Sequence, residues 1–334
     1  MTGGVPARGS LRSRGAAAVS TYTLRPITSV IPPERAWGLW LSRQIVARIM
    51  GTFGPSLSGT RVQSVDTRLP DGRRVKGEWV FGPRTPTSEH SRPSSIAEAI
   101  YYIHGSGYAV CSPKTHRRLT SWLSSLTGLP VFCVDYRLAP RHRFPTAADD
   151  VRAGWDWLIN TCGVPPEQMV IAGDSAGGHL SVDLLLQPGV EHPAAMVLFS
   201  PLYDLTFELA KARERIRPDP ATRAANAIRL VGLYHSGVDL THERLTLDVA
   251  RGPALPPTLI QAGGAEMLQA DAHQLAADIR TAGGRCELQI WPHQVHVFQA
   301  LPRMTPEAAK AMAYVARFIT HALQDARALT QEMH

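Results

Sequence analysis

Short apolar runs alternate with amphipathic helical patterns over most of this 334-residue chain. Six runs of strand length read AIYYIHG, LPVFCVDY, QMVIAGD, AAMVLFSP, PPTLIQAGG and CELQIW. Strands that are apolar along their whole length must be covered on both faces, and the intervening helices supply that cover. The sequence therefore predicts an α/β fold with a mostly parallel central sheet and helices on both faces. A Pro-Asp-Gly turn also predicts a β-hairpin over residues 61–82.

Two segments lie outside this alternation and predict a helical cap over the carboxyl edge of the strands. The first contains PPERAWGLWLSRQIVARIM. The second, residues 204–253, has helical patterns and lies between two predicted strands. The leader MTGGVPARGSLRSRGAAAVS offers almost nothing to bury, which is typical of a disordered segment. The predicted organisation is a disordered basic tail over 1–22, an N-terminal cap helix region over 23–55, a first core part over 56–203, a helical cap insertion over 204–253 and a second core part over 254–334.

Composition argues against several classes of protein. The formal net charge is +7, but arginine is scattered along the chain, which is typical of a solvated surface with a basic tail rather than of a nucleic-acid-binding protein. No stretch of about 18 residues is apolar throughout, so no membrane span is expected. The leader also lacks the apolar part of a secretory signal, which predicts a cytoplasmic location. The four cysteines follow neither CxxC nor metal-ligand spacing and are expected to be reduced thiols.

The stretch MVIAGDSAGGHL, residues 169–180, places a serine among glycines where an apolar run gives way to a helix. A dinucleotide-binding turn would require an acidic residue at the end of the next strand. That strand ends in Ser200-Pro201, and the glycines do not fit G-x-G-x-x-G. The alternative is G-x-S-x-G, in which small residues permit a tight turn that lifts the serine hydroxyl above the sheet. Ser175 is therefore the candidate nucleophile.

A catalytic serine on this architecture requires partners in a fixed chain order: an oxyanion loop upstream, then the serine, an acid and a histidine. His104-Gly105-Ser106-Gly107 follows an early strand and supplies the loop. An acid follows the strand PPTLIQAGG within AEMLQADA, and a histidine follows the last strand within WPHQVHVF. The chain thus meets every requirement in the required order.

These motifs resemble those of the hormone-sensitive-lipase-like group of α/β-hydrolase esterases, which is marked by HGGG and GDSAGG. The resemblance covers about residues 75–325 and includes DYRLAPRHRFPTAADDV. It implies the α/β-hydrolase fold, a serine esterase activity and a reaction without a metal or organic cofactor. Two departures are Ser106 in place of the second glycine of HGGG and Val297 in place of the glycine of H-G-F. We expect Ser106 to narrow the acyl side of the site or to add a hydroxyl there.

The acid and the base each have two candidates. Aligned with the family stretch D-P-L-R-D-E, EMLQAD places Glu266 on the catalytic position, with Asp271 in the next helix as the alternative. His296 lies where the resemblance expects the base. His293 and His116 are interpreted as surface or packing residues. Glutamate can take the acid position because its task is to accept the imidazole N–H and stabilise the imidazolium.

The predicted reaction is hydrolysis of a small acyl ester through an acyl-enzyme. The alternatives are an amide deacetylase or lactone hydrolase with the same triad and, more remotely, a non-catalytic small-molecule receptor. The two cap segments are mixed in polarity, so we expect a small covered pocket that favours acyl chains of about two to six carbons. The sequence leaves a homodimer open.

The amides expected to bind a tetrahedral oxyanion belong to Ala176, Gly105, Ser106 and Gly107.

Overall fold

The computed structural model of the chain describes residues 4–85 and 96–332, and the strands within them form one sheet. The strands are β1 (Arg61–Arg68), β2 (Arg74–Phe81), β3 (Ala99–Ile103), β4 (Val131–Val134), β5 (Met169–Asp174), β6 (Ala195–Phe199), β7 (Thr258–Gly263) and β8 (Cys286–Trp291). Their order is β1-β2-β4-β3-β5-β6-β7-β8. The pairs β1–β2 and β2–β4 are antiparallel, and the remaining pairs are parallel. The predicted hairpin and mostly parallel sheet are confirmed.

The helices of the described residues surround this sheet. They are α1 (Leu11–Tyr22), α2 (Leu24–Val30), α3 (Ala36–Phe53), α4 (Pro113–Thr127), α5 (Thr146–Asn160), α6 (Ala176–Leu186), α7 (Glu208–Ile216), α8 (Ala224–His235), α9 (Gln269–Thr281) and α10 (Glu307–Glu332). None of these described helices combines the length and the apolar composition needed to cross a bilayer. Helices α2 and α3 fall within residues 23–55, and α7 and α8 within residues 204–253, the two segments predicted to be helical.

The central strands are buried along their whole length, and successive side chains enter separate apolar cores on the two faces of the sheet. In β5, Met169 and Ile171 belong to one core, whereas Val170 and Ala172 belong to the other. Helices α5, α6 and α9 contribute to the first core, and α4 and α10 to the second. Both faces are thus covered by helices, as a mostly parallel sheet requires.

Residues 11–22 form a helix, so the prediction of a disordered tail over 1–22 was wrong for this part; residues 1–3 lie outside the described residues. The side chain of Ser10 caps α1 by accepting a hydrogen bond from the amide of Ser13. Glu307, in the first turn of α10, accepts a hydrogen bond from the Ser10 amide at 2.6 Å and another from the Ser13 hydroxyl. These polar contacts hold a segment that has few apolar residues to bury.

The Glu307 contacts make the attachment of α1 testable. A hydrogen bond to a charged group contributes on the order of 1.5–3 kcal/mol, so Glu307→Ala should increase opening of this segment at least about tenfold. Limited trypsin digestion measures this directly, because the segment carries Arg8, Arg12, Arg14 and Arg25. The exposed Glu243 provides a control variant, Glu243→Ala. Equal cleavage rates in both variants would mean that Glu307 does not hold the segment.

Candidate active site

Ser175 lies in the turn between β5 and α6, at the carboxyl edge of the sheet. Its backbone has a φ of 51° and a ψ of −122°. A positive φ is uncommon for a residue other than glycine and marks a strained turn. The strand, the strained serine and the helix follow in the order that a nucleophile elbow requires.

The glycines around Ser175 allow α6 to approach the sheet without intervening side chains. A Cβ on Gly177 would lie 2.0 Å from the carbonyl oxygen of Ile103 in β3. A Cβ on Gly173 would lie 2.8 Å from the carbonyl oxygen of Gly177, and one on Gly178 would lie 2.8 Å from Pro201. Larger residues at these three positions would force α6 away from the sheet. The small residues predicted from G-x-S-x-G are therefore required by packing.

The oxyanion loop lies beside the elbow, but one of its predicted donors is already occupied. The amide of Gly105 donates to Oδ1 of Asp174 at 2.9 Å. Including Gly105 among the oxyanion donors was therefore wrong. The amides of Ser106, Gly107 and Ala176 have no protein acceptor among the contacts of the described residues. These amides are the remaining candidates.

Ser106 uses its hydroxyl inside the loop. Its Oγ lies 2.6 Å from the hydroxyl oxygen of Tyr136, and the Tyr136 hydroxyl donates to the carbonyl of His104 at 2.6 Å. Since Tyr136 has one proton to donate, Ser106 must donate to Tyr136. The expected role of the Ser106 hydroxyl on the acyl side of the site was wrong, because this bond holds it within the loop. Tyr136, the tyrosine of DYRLAP, thus supports the oxyanion loop. The sequence analysis did not single it out.

Asp174 connects the elbow to three other elements. Besides Gly105, its carboxylate accepts from the Tyr102 hydroxyl at 2.8 Å and lies 3.2 Å from Nε2 of His116 in α4. Burial raises the pKa of Asp174, but His116, Tyr102 and the Gly105 amide outweigh it and hold that pKa below its ordinary value. His116, interpreted as a surface or packing residue, is buried and packs against His104, and it also contacts the Asp174 carboxylate. The sequence feature that could have indicated this contact is Asp174 itself, because a buried carboxylate next to the serine needs a polar partner.

His104 is neutral within this cluster. Burial and the neighbouring His116 lower the pKa of His104 to about 3. Its ring stacks on Tyr136 with centroids 4.3 Å apart. A neutral, stacked imidazole shapes the loop and carries no charge into it.

Glu266 and His296 form a direct pair. Oε2 of Glu266 lies 2.5 Å from Nδ1 of His296. Glu266 is fully buried in the loop after β7, whereas a third of the His296 side chain is exposed, 33%. Desolvation acts to lower the pKa of His296, but the Glu266 carboxylate outweighs it and raises that pKa above its ordinary value. The contact leaves Nε2, the other ring nitrogen, for a different partner.

The two alternative candidates lie in other environments. Asp271, in α9, accepts hydrogen bonds from the amides of Tyr203 and Asp204, each at 2.9 Å. Burial raises the pKa of Asp271 to about 7. His293 accepts from the amide of Gly9 at 3.4 Å. Asp271 therefore anchors the chain after β6, and His293 contacts the N-terminal segment.

Ser200 is a site residue that the sequence analysis missed. Its hydroxyl donates to Oε1 of Glu266 at 2.6 Å and accepts from the amide of Val297 at 3.1 Å. Ser200 and Val297 both have a positive φ, of 47° and 48°. The valine thus occupies a left-handed position, where the family has glycine. The Val297 amide reaches the same serine that binds Glu266, and Ser200 thereby links Glu266 to the residue that follows His296.

Asp219 brings the cap insertion to the loop of Glu266. Oδ2 of Asp219 accepts from the Met267 amide at 2.8 Å, and Oδ1 accepts from the Ala221 amide at 2.7 Å. The residue is 2% exposed, and burial raises its pKa. A buried carboxylate thus connects the chain between α7 and α8 to the residue after Glu266.

A cavity of about 1280 Å³ contains Ser175 and His296 in its lining. This exceeds the range of about 300–1,000 Å³ typical of pockets for drug-sized ligands. The expectation of a small covered pocket was therefore wrong. The reason is that α1, which was predicted to be disordered, extends the lining together with α2, α3 and α8. Apolar side chains from these helices include Val19, Leu24, Ile27, Ile45, Ile49 and Leu230.

Comparisons with known proteins identify the fold and the family. A family model described as an alpha/beta hydrolase fold matches residues 100–300. Esterase LipU from Mycobacterium tuberculosis is 39% identical over 232 residues, which are 67% of this chain and 78% of LipU. The crystal structure of EstE5 soaked with p-nitrophenyl butyrate has a TM-score of 0.79 at 28% identity, covering 94% of this chain and 99% of that one. An esterase from the bacterial hormone-sensitive lipase family has a TM-score of 0.77 at 26% identity, covering 93% and 97%.

The sheet topology and these matches define a serine ester hydrolase of the α/β-hydrolase fold. Within that class, the chain belongs to the hormone-sensitive-lipase-like esterases. The fold and the family predicted from GDSAGG and the loop at residues 104–107 are thus confirmed.

The contacts of Ser200 predict a positioning role. Ser200→Ala removes a hydrogen bond to a buried carboxylate, worth on the order of 1.5–3 kcal/mol, and should lower kcat about 10- to 100-fold. KM should change little, because Ser200 does not line the cavity. Steady-state hydrolysis of a soluble ester measures both constants.

Ser124→Ala is the matched control for this variant. Ser124 is also buried and hydrogen-bonded, but it lies in α4 and donates to the carbonyl of Leu129. A folded Ser200→Ala protein with the kcat of the control would show that Glu266 needs no support from Ser200.

Proposed function

We propose that this esterase hydrolyses carboxylic esters with Ser175 as nucleophile, His296 as general base and Glu266 as the acid that orients the imidazole. The contact of 2.5 Å between Glu266 and His296 carries the proposal. The strained turn at Ser175 also supports it, since such a turn is typical of a nucleophile elbow. A third observation is that Ser175 and His296 line the same cavity. The chain order of serine, acid and histidine is also that of the α/β-hydrolases.

The first half-reaction transfers the acyl group to the serine. His296 takes the Ser175 proton through Nε2 while Oγ attacks the ester carbonyl carbon. Glu266, bound to Nδ1, stabilises the imidazolium that results. The amides of Ala176, Ser106 and Gly107 stabilise the oxyanion, and one such donor contributes on the order of 3 kcal/mol. The imidazolium then protonates the leaving alcohol as the carbonyl re-forms.

The second half-reaction releases the acid. Water loses a proton to His296 and attacks the acyl-enzyme, and the second tetrahedral intermediate collapses when Ser175 leaves with the proton from the imidazolium. Each step uses only side chains, backbone amides and water. The same residues also serve amide deacetylation or lactone opening, so a panel of one ester, one N-acetyl amide and one lactone decides among these substrates.

The acyl group is the part of the proposal that the cavity revises. The limit of about six carbons assumed that longer chains displace packed side chains. A cavity of about 1280 Å³ with apolar walls removes that cost. We therefore propose that kcat/KM does not decline sharply beyond six carbons, and a p-nitrophenyl ester series from acetate to decanoate measures this.

Ser175→Ala should leave a folded protein whose ester hydrolysis is lower by on the order of 10⁴–10⁶ in kcat. An organophosphonate should phosphonylate the wild type, with loss of its leaving group, and should leave the variant unmodified, as a mass spectrum of each protein would show. Ser181→Ala is the matched control, because Ser181 is buried in α6, the helix that follows Ser175, and donates to the carbonyl of Gly177. Near-normal turnover by Ser175→Ala would overturn the mechanism.

Glu266→Gln and Asp271→Asn separate the two acid candidates by their pH profiles. The base must be neutral, so kcat/KM falls as the pH drops through the His296 pKa, which Glu266 raises. Glu266→Gln should therefore lower kcat on the order of 10³–10⁴ and move the acidic limb to lower pH. Asp271→Asn should leave that limb in place. The reverse ranking would assign the acid to Asp271.

A further inference from the structure

Exposed apolar side chains are concentrated in the first three helices. The described residues expose ten large apolar side chains, and seven of them lie between residues 11 and 40. Two are tryptophans, Trp37 and Trp40, at 59% and 61% exposure. Single exposed apolar residues are ordinary, but a contiguous cluster marks an interaction surface. The seven are Leu11, Val19, Tyr22, Ile27, Val30, Trp37 and Trp40.

Helical spacing places these side chains on the outer faces of their helices. Leu11 and Tyr22 are eleven residues apart in α1, which is three turns, and Trp37 and Trp40 are one turn apart in α3. The inner face of α1 carries the buried Ser13, which is bound to Glu307. The usual amphipathic arrangement, with apolar residues toward the protein, is thus supplemented by an apolar outer face.

The exposed cluster forms the rim of the substrate cavity. One exposed apolar residue of each helix also lines the cavity: Val19 of α1, Ile27 of α2 and Trp40 of α3. The outer faces of the three helices therefore meet at one opening. Leu11, Tyr22, Val30 and Trp37 are exposed without lining the cavity, so they extend this rim outward.

The same segment carries almost the entire net charge of the chain. Residues 1–53 contain seven arginines and one acidic residue, Glu34, a formal charge of +6 out of +7. Glu34 pairs with Arg229, outside the segment. Among the described residues, Arg25 is the one arginine of the segment with a carboxylate partner, Glu214. The positive charge around the rim is therefore largely uncompensated.

We propose that the outer faces of α1, α2 and α3 form a docking surface for an anionic lipid bilayer, with the cavity opening toward the membrane. Tryptophan and tyrosine favour the boundary between headgroups and acyl chains, and arginine binds anionic headgroups. Helices that combine the two lie in the interface without crossing it. A second copy of the chain fits less well, because a twofold contact would place this positive surface against itself.

The experiment uses the full chain with Ser175→Ala, so that lipid hydrolysis cannot alter the vesicles. Sedimentation with vesicles of phosphatidylcholine and phosphatidylglycerol should capture this protein, and vesicles of phosphatidylcholine alone should capture at least about tenfold less. Adding Tyr22→Ser and Trp37→Ser should weaken binding by at least about tenfold. Adding Arg14→Gln and Arg35→Gln should weaken it and reduce its salt dependence.

Leu329→Ser is the matched control for the apolar variants. Leu329 is 63% exposed and lies near Pro257 and Thr258, at the amino end of β7 and away from the Ser175 edge. This control should bind vesicles like the parent protein. In the active enzyme, Tyr22→Ser with Trp37→Ser should keep the thermal unfolding temperature and the hydrolysis rate of a soluble ester.

Several results would overturn the docking surface. One is equal capture by neutral and anionic vesicles, and another is unchanged capture of the Tyr22 and Trp37 variants. A concentration-dependent dimer that Trp37→Ser dissolves would assign the face to a second copy. Stronger binding to duplex DNA than to vesicles would assign it to nucleic acid. Since the test uses an inactive serine, its failure is distinct from failure of the proposed mechanism.

Discussion

Asp174 carries a carboxylate into a part of the protein from which water is almost excluded, with 3% of the residue exposed. Its charge is compensated by Tyr102 of β3, the Gly105 amide and His116 of α4. Removing one partner of a buried charge costs on the order of 3–5 kcal/mol. The serine turn, the oxyanion loop and α4 are therefore held as one unit. The neutral His104 fits this arrangement, because burial and the neighbouring His116 both lower its pKa.

Three residues of the site with strained backbone lie at the carboxyl edge of the sheet. Ser175, Ser200 and Val297 follow β5, β6 and β8, and each has a positive φ at a cost on the order of 1–3 kcal/mol. The sheet holds the first two, since the Ser175 amide donates to Phe199 at 3.0 Å and the Ser200 amide to Gln261 at 2.8 Å, and Ser200 in turn holds the Val297 amide. Hydrogen bonds to neighbouring strands thus stabilise the strained conformation of these turns.

The sheet, its helices and the Glu266–His296 contact could be predicted because each depends on local sequence in a fixed order along the chain. The support of that contact could not. Ser200 ends a strand like any small polar residue, and its role follows only from which strand ends become neighbours. The helix at residues 11–22 was missed because composition records apolar burial, whereas hydrogen bonds to a glutamate almost three hundred residues away hold it. The size of the cavity was underestimated because α1, the helix that was missed, forms part of its lining.

Asp219 gives the cap a mechanical connection to the chemistry. One oxygen of its carboxylate holds the cap chain at Ala221, and the other holds the amide that follows the acid. A ligand that lifts this part of the cap must also pull on the loop that sets the contact with the imidazole. One carboxylate thus lies between the cap and the loop of the Glu266–His296 contact. Bulky substrate groups far from the ester bond would then change kcat as well as KM, as happens when a lid completes a catalytic site.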